Sequence, residues 1–167
     1  MPRKVIVHVT LGLDLGGQEK LLAELARHVD RRRFSLAFAS LTTAGPVAEE
    51  LRACGWPVHA LNAPSGLRPS LVAQLARLFR SIRADVVHTH DERPNIHAAP
   101  AAWLAGARCL HTRHSQASRL TSRQKALVRL SSELNEAFVC ISKDSARAAL
   151  AQGISPRKVT VVHNGID

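Results

Sequence analysis

Short runs of β-branched and other apolar residues alternate with helical periodicity along the whole chain, and this alternation constrains the fold more than any other feature. Residues 5–10 (VIVHVT), 35–41, 58–61, 85–90 (DVVHTH), 108–112, 137–141 and 159–162 read as seven strands. Strands that are apolar almost without interruption belong to sheets covered on both faces, which is the condition of a parallel sheet. The segments between them read as helices. Residues 18–29 place Leu21, Leu22, Leu25, Ala26 and Val29 on one side, and residues 46–53 begin with Pro46 in the first turn and close at Gly55. Ser70 is expected to cap a helix that buries Leu71, Leu75, Leu78 and Ile82. Further helices are expected over 94–105, closed by Gly106, over 121–135, and from a cap at Ser142 to Gly153. This order predicts an α/β fold: a Rossmann-like, doubly wound parallel sheet with helices on both faces. Ligands of such sheets sit beyond the C-terminal ends of the strands, so residues there are read first for function.

Gly16-Gly17 follows the first strand and opens directly onto a helix. Glycines let backbone N–H groups approach an anion, and the helix N-terminus adds positive potential. The spacing is neither GxGxxG nor that of a P-loop. A tight turn that needs glycine accounts for the pair equally well. His88-Thr-His90 closes the fourth strand, and alternation puts both imidazoles on one side of it. Such a pair can hold zinc if a third ligand joins, with Asp91, His97 and His114 the candidates by strand order. No ligand-rich motif supports that site, and no metal is expected. His111-Thr-Arg-His114 closes the fifth strand. His111 and Arg113 alternate with Thr112 and His114, so one pair at most is expected to face inward. A histidine here can donate to a sugar hydroxyl or a phosphate oxygen.

The helix over 121–135 follows Arg119 and carries Arg123, Lys125 and Arg129 beside an apolar set of Leu120, Ala126, Leu127, Leu130 and Leu134. The apolar set is expected on the sheet, which frees the basic residues to meet anionic lipid headgroups. An ordinary solvated helix is the plainer alternative. Arg31-Arg-Arg33 is expected at the first helix's C-terminus, where cations favour the dipole.

Composition narrows the field. The chain has 167 residues, enough for one cored domain, and its 46% hydrophobic and 22% charged residues exclude a disordered or fibrous protein. Lys and Arg number 23 against 13 acidic residues, a formal charge of +10 that points to an anionic partner. Aromatics make up only 4%, with no tyrosine, which argues against nucleic acid because stacking platforms are missing. No apolar run approaches the roughly 20 residues of a membrane span, and the N-terminus lacks a signal peptide's apolar core. Cys54, Cys109 and Cys140 are odd in number and widely spaced, as expected of reduced thiols in a cytoplasm.

In chain order, VIVHVT at 5–10 with Gly16-Gly17-Gln-Glu19, DVVHTH at 85–90, His111-Thr-Arg-His114, Ile141-Ser142 and VVHNGID at 161–167 resemble the N-terminal half of a family-four glycosyltransferase with the GT-B fold. Their succession at the ends of consecutive strands carries the likeness. The resemblance implies two Rossmann-like domains facing across a cleft. It also implies sugar transfer from a nucleotide-sugar donor with retention of configuration, and no cofactor or metal. Residues 1–162 would form the acceptor-side domain and 163–167 the start of a linker, with the C-terminal nucleotide-sugar domain absent and this stretch inactive alone. Gly16 and Gly17 would approach the donor diphosphate, and His114 would be the catalytic-site histidine on the donor sugar. His88, His90, Asp91 and Arg113 would serve a glycolipid or saccharide acceptor. Members acting on lipid acceptors dock on membranes through basic N-terminal surfaces, which would make Arg119, Arg123, Lys125 and Arg129 membrane-facing on a cytoplasmic protein at the membrane's inner face. The rival is a stand-alone Rossmann-like module that binds an anion or a metal without catalysis, with a zinc hydrolase as a third reading.

Overall fold

Seven strands, every neighbouring pair parallel, make a single sheet in the order β3-β2-β1-β4-β5-β6-β7. The structure is a computed structural model that describes residues 2–114 and 121–165. The strands are β1 (Lys4–Thr10), β2 (Phe34–Ser40), β3 (Val58–Ala60), β4 (Val86–His90), β5 (Arg108–Arg113), β6 (Ala137–Cys140) and β7 (Val159–Val161). The helices are α1 (Gly17–His28), α2 (Pro46–Ala53), α3 (Pro69–Ser81), α4 (Glu92–Ala105), α5 (Ser122–Glu133) and α6 (Lys143–Ala151).

Right-handed crossovers decide which face each helix takes. The chain runs outward from β1 to β3, then returns to the other side of β1 and continues from β4 to β7. Helices α1 and α2 therefore cover one face, where Leu22, Ala26, Val47 and Leu51 enclose Phe38 and Leu36. The other face is covered by α3 and α4, whose Leu71, Leu75, Phe79 and Ala98 pack on Val7, Val9 and Val87. Val128 of α5 and Ala149 of α6 continue it over Phe138 and Cys140. The strand order reverses between β1 and β4, so the crevice beyond their C-terminal ends is the natural ligand position.

Five local expectations change. Ser70 does not cap α3; Pro69 occupies the first turn, where its missing N–H costs nothing, and Arg68 is the preceding extended residue. Helix α4 starts at Glu92, two residues before Pro94, because Asp91 turns the chain sharply at φ 64°, ψ 168°. Leu25 is exposed, and α1 buries Leu22, Ala23 and Ala26 instead. On α5 the buried residues are Val128, Ser131 and Ser132, while Leu130 stays 68% exposed. The small serines return their hydroxyls to Val128 O and Arg129 O, and Ser131 Oγ accepts from Asn95 Nδ2 of α4 at 3.2 Å. That close approach turns Leu130 and Leu134 outward. Arg31–Arg33 lies beyond α1, in the turn before β2, with the Arg31 guanidinium 4.3 Å from the Trp56 ring centre.

Candidate active site

Parallel register brings β1 and β4 together with His8 opposite His88, so His8, His88 and His90 share one face of the sheet. His8 Nδ1 and His90 Nε2 lie 3.0 Å apart, and His90 Nδ1 and His114 Nε2 lie 2.9 Å apart. His88 lies against both His8 and His90 with its ring tilted to theirs, its centre 4.4 Å from that of His90 and 5.1 Å from that of His8. His88 Nε2 lies 2.8 Å from Thr112 Oγ1. Each of these contacts steps diagonally toward the C-terminal edge, so the histidines climb from the sheet's interior to its working rim. At the inner end, His8 lies against Phe38 with ring centres 5.4 Å apart.

The opposite face of the same strands is also covered. His111 lies there, its Nδ1 2.9 Å from Thr89 Oγ1, which donates to Asn95 Oδ1 at 3.1 Å. Arg113 lies beside it, fully buried, with its guanidinium 5.0 Å from the Phe138 ring centre. Arg113 Nε sits 3.2 Å from Glu92 Oε1, and Nη2 donates to Gln152 Oε1 at 2.8 Å. Both pairs of the fifth strand thus face inward, one to each side, because helices cover His111 and Arg113 while the histidine array covers Thr112.

Asp91 joins the array to the crevice. Its N–H donates to Thr112 O at 3.1 Å, and its Oδ1 accepts from the His114 N–H at 3.4 Å. The φ 64°, ψ 168° conformation is one that glycine holds easily and other residues hold under strain, a pattern common at ligand sites. A cleft of about 340 Å³ opens between Asp91 and the loop after β1, lined by Gly12, Asp14, Gln18, Glu19, Thr42 and Arg93. Gly16 precedes the first turn of α1, and a Cβ there would meet Glu19 Oε2 at 2.3 Å. A Cβ on Gly17 would meet nothing within 4 Å. A second cleft, of about 620 Å³, lies between α4, α5 and the loop before α3, with Leu67, Arg93, Ile96, Arg123 and Leu127 among its walls.

Burial sets the charges. Desolvation holds His8, His90 and His111 well below the ordinary imidazole range, and it pushes His88 and His114 down to about 4. The five rings are therefore neutral at pH 7. Burial raises the carboxyl groups of Asp91 and Glu19, and nearby Asp91 and Asp14 push Glu19 further in the same direction.

The structure brings His88, His90, Asp91 and His114 together; Gly12, Asp14, Gln18 and Glu19, on either side of Gly16-Gly17, line the cleft beside Asp91, and the two glycines themselves do not. Arg113 does not join them: it points to the other face and has no exposed surface with which to touch an acceptor. Of the three proposed third metal ligands, His97 stands apart on α4, its Nδ1 2.9 Å from Arg93 O. The third histidine beside His88 and His90 is His8, and their ligand atoms lie within 4.8 Å of one another. A cation drawing on those nitrogens would displace the hydrogen bonds among them. Arg123, Lys125 and Arg129 are exposed on α5, and Arg119 lies outside the described residues. His8 and Glu92 were not among the sequence candidates. Parallel pairing of the first and fourth strands would have found His8. Glu92 carried no signal while α4 was expected to begin at Pro94.

Comparison with known proteins identifies the family and the fold. Residues 15–167 match the family described as Glycosyltransferase Family 4. The chain is 25% identical over 174 residues to the Escherichia coli UDP-Gal:alpha-D-GlcNAc-diphosphoundecaprenol alpha-1,3-galactosyltransferase, covering 97% of this chain and 45% of that enzyme. It superposes on a Rickettsia africae glycosyltransferase with a TM-score of 0.82 at 17% identity, covering 100% of this chain and 44% of that one. The corresponding values for Anabaena HepE in complex with UDP are 0.78 and 18%, with coverage of 97% and 44%. The chain thus spans a little under half the length of these relatives, and its fold corresponds to one half of the GT-B architecture. With a family match that runs over nearly all of its length, the chain belongs to Glycosyltransferase Family 4.

Proposed function

We propose that this domain is the acceptor-side half of a retaining glycosyltransferase that moves a sugar from a nucleotide-sugar donor to a glycolipid or saccharide acceptor. The observation that carries the reading is His114 at the end of a histidine array, beside Asp91 and a glycine loop, at the sheet's switch point. In this reading His114 donates to the donor sugar. The Gly17 N–H at the start of α1 meets the departing diphosphate, where fixed donors stabilise developing negative charge. Open space around Gly17 supports that role, since no packing among the described residues requires glycine there. Asp91, with His88 and His90 behind it, orients the acceptor in the adjoining cleft, and Arg113 supports the site from behind through Glu92.

Transfer needs both walls of the cleft. The 167-residue chain alone is expected to give no turnover, and the same chain continued through a nucleotide-binding second domain is expected to transfer sugar. In that longer chain His114→Ala should lower kcat roughly a hundredfold, the usual loss for one placed donor, with folding intact. Turnover by the short chain, or unchanged turnover in the variant, would refute the assignment.

The acceptor reading extends to a lipid. The larger cleft joins Arg93 and Arg123 to Leu67, Ile96 and Leu127, which suits an amphiphile with an anionic head. Outward Leu130 and Leu134 beside exposed Arg123, Lys125 and Arg129 suit docking at the cytoplasmic face of a membrane. No helix among the described residues is long and apolar enough to cross one. Each basic residue near an anionic surface contributes about 1 kcal/mol, so neutralising these three should weaken binding to anionic vesicles about a hundredfold. Sedimentation with vesicles would test this, and equal binding by the triple variant would end the idea.

A further inference from the structure

We propose, resting on the reading of both clefts as the acceptor's, that they form one continuous site in which Arg93 selects acceptors whose sugar is joined to a lipid through phosphate. The sugar lies in the small cleft, the phosphate at Arg93 and the hydrocarbon in the large cleft.

The clefts meet in the first turn of α4. Asp91 lines the small one, Glu92 the large one, and Arg93 lines both. Charge changes sign across that junction. The small cleft holds the carboxyl groups of Asp14, Glu19 and Asp91, and none of the three has an ion-pair partner among the described residues. Their crowding shows at Glu19, whose carboxyl is raised by burial and, beyond that, by nearby Asp91 and Asp14. A phosphate placed there would meet three acidic groups, whereas sugar hydroxyls can donate hydrogen bonds to them.

The large cleft has the opposite character. Arg93 and Arg123 line it without a carboxylate partner among the described residues, because Glu92, the acidic residue of that wall, is paired with Arg113. Leu67, Ile96 and Leu127 stand beside them, and Leu67 is 44% exposed. Arg93 Nη2 donates to Pro64 O at 3.2 Å, which ties the side chain to the loop before α3 and leaves its remaining N–H groups for a ligand. A guanidinium so placed presents several donors to phosphate oxygens, and the N-terminal end of α4 adds positive potential at the same point. A lipid glycoside without phosphate leaves Arg93 unpaired. A plain anionic lipid leaves the small cleft unfilled, and a free sugar phosphate leaves the apolar wall uncovered. An acceptor with all three parts, in this order, meets every wall.

Isothermal titration calorimetry of the 167-residue chain, with no donor and below micelle-forming concentrations, reads this order. The probes are a hexose joined to a decyl chain through phosphate, the neutral decyl hexoside, decyl phosphate and the hexose 1-phosphate. The phosphate-linked glycolipid is expected to bind about tenfold to a hundredfold more tightly than each of the others, the range of a charge-assisted hydrogen bond. In Arg93→Gln it should fall to the level of the neutral hexoside, whose own binding stays unchanged. Asp14→Ala should weaken the neutral hexoside and leave decyl phosphate no weaker. Arg77→Gln, exposed on α3 and lining neither cleft, should alter none of them, which separates Arg93 from net charge. Equal binding of the neutral and phosphate-linked glycolipids, or a preference that survives Arg93→Gln, would overturn the proposal. Decyl phosphate binding as tightly as the complete probe would make this an ordinary anionic-lipid surface and overturn it too, as would binding of none. Transfer by the longer chain to the neutral hexoside, as fast as to the phosphate-linked one, would end selection by Arg93 and keep the transferase. Binding in the expected order without transfer to any acceptor would do the reverse.

Discussion

Cutting Glu92 back to alanine is expected to destabilise the chain by about 3–5 kcal/mol, because it strands the Arg113 guanidinium inside the protein. The Arg113 side chain has 0% of its surface exposed and that of Glu92 only 9%. Their ion pair at 3.2 Å and the Gln152 hydrogen bond at 2.8 Å are the polar partners of Arg113 among the described residues. Removing the carboxylate leaves the desolvation of a cation uncompensated. Arg113→Met alone should cost less than Glu92→Ala, since the remaining Glu92 can neutralise itself by taking a proton. The double variant Glu92→Leu with Arg113→Met should recover most of the loss, because an apolar pair of similar volume avoids both desolvation costs. Urea denaturation measures this directly as a shift in midpoint at constant slope. Single variants within about 0.5 kcal/mol of the parent, the range of ordinary surface substitutions, would show that the pair is not the anchor described.

That anchor also shows which parts of the molecule the sequence discloses. Strand positions were legible because seven nearly continuous apolar runs alternate with helical periodicity, and the strand-end residues His88, His90, Asp91 and His114 followed from them. What stayed hidden depends on pairings between distant strands or on a backbone turn. His8 sits in the middle of β1 and reads as an ordinary core position until register sets it opposite His88. Glu92 reads as a loop residue because Pro94 marks a helix start, whereas the positive φ of Asp91 begins the helix earlier and swings the carboxylate inward. The family resemblance, not its position on the strand, implied an acceptor contact for Arg113. Alternation along β5 sends it to the other face, where Phe138 and Gln152 receive it. On α5 the apolar stripe misled because the face that packs is serine, whose hydroxyls are satisfied by the helix itself and so can be buried.

The second large effect expected is loss of stability in mild acid, beginning near pH 6.5 and growing as pH falls toward 4. Five imidazoles are held neutral by burial: His8, His90 and His111 titrate well below their ordinary value in the fold, and His88 and His114 at about 4. In the unfolded chain each would take up its proton near 6.5. Between those values the unfolded state binds more protons than the folded one, so stability falls as pH falls and is constant above about 6.5. His88 alone, shifted from 6.5 to about 4, accounts for at most roughly 3 kcal/mol, at 1.36 kcal/mol per unit. Two such rings titrating together give a slope of roughly 2.7 kcal/mol per pH unit, large against the 5–15 kcal/mol of a typical domain. The raised carboxyl groups of Asp91 and Glu19 work the other way, since the fold holds their protons more tightly than the unfolded chain does. They are two against five and begin to act only as pH approaches the carboxyl range, so they soften the fall without reversing it. Urea midpoints at pH 7.5, 6.5, 5.5 and 4.5 test the linkage, with a steady decline expected across the last three. His88→Gln, which keeps a side chain able to reach Thr112 Oγ1 but takes up no proton, should make that decline shallower. A midpoint that stays level from pH 7.5 to 4.5 would mean that the array accepts protons as readily in the fold as in water, and that the histidines are not the buried neutral stack from which the site is built.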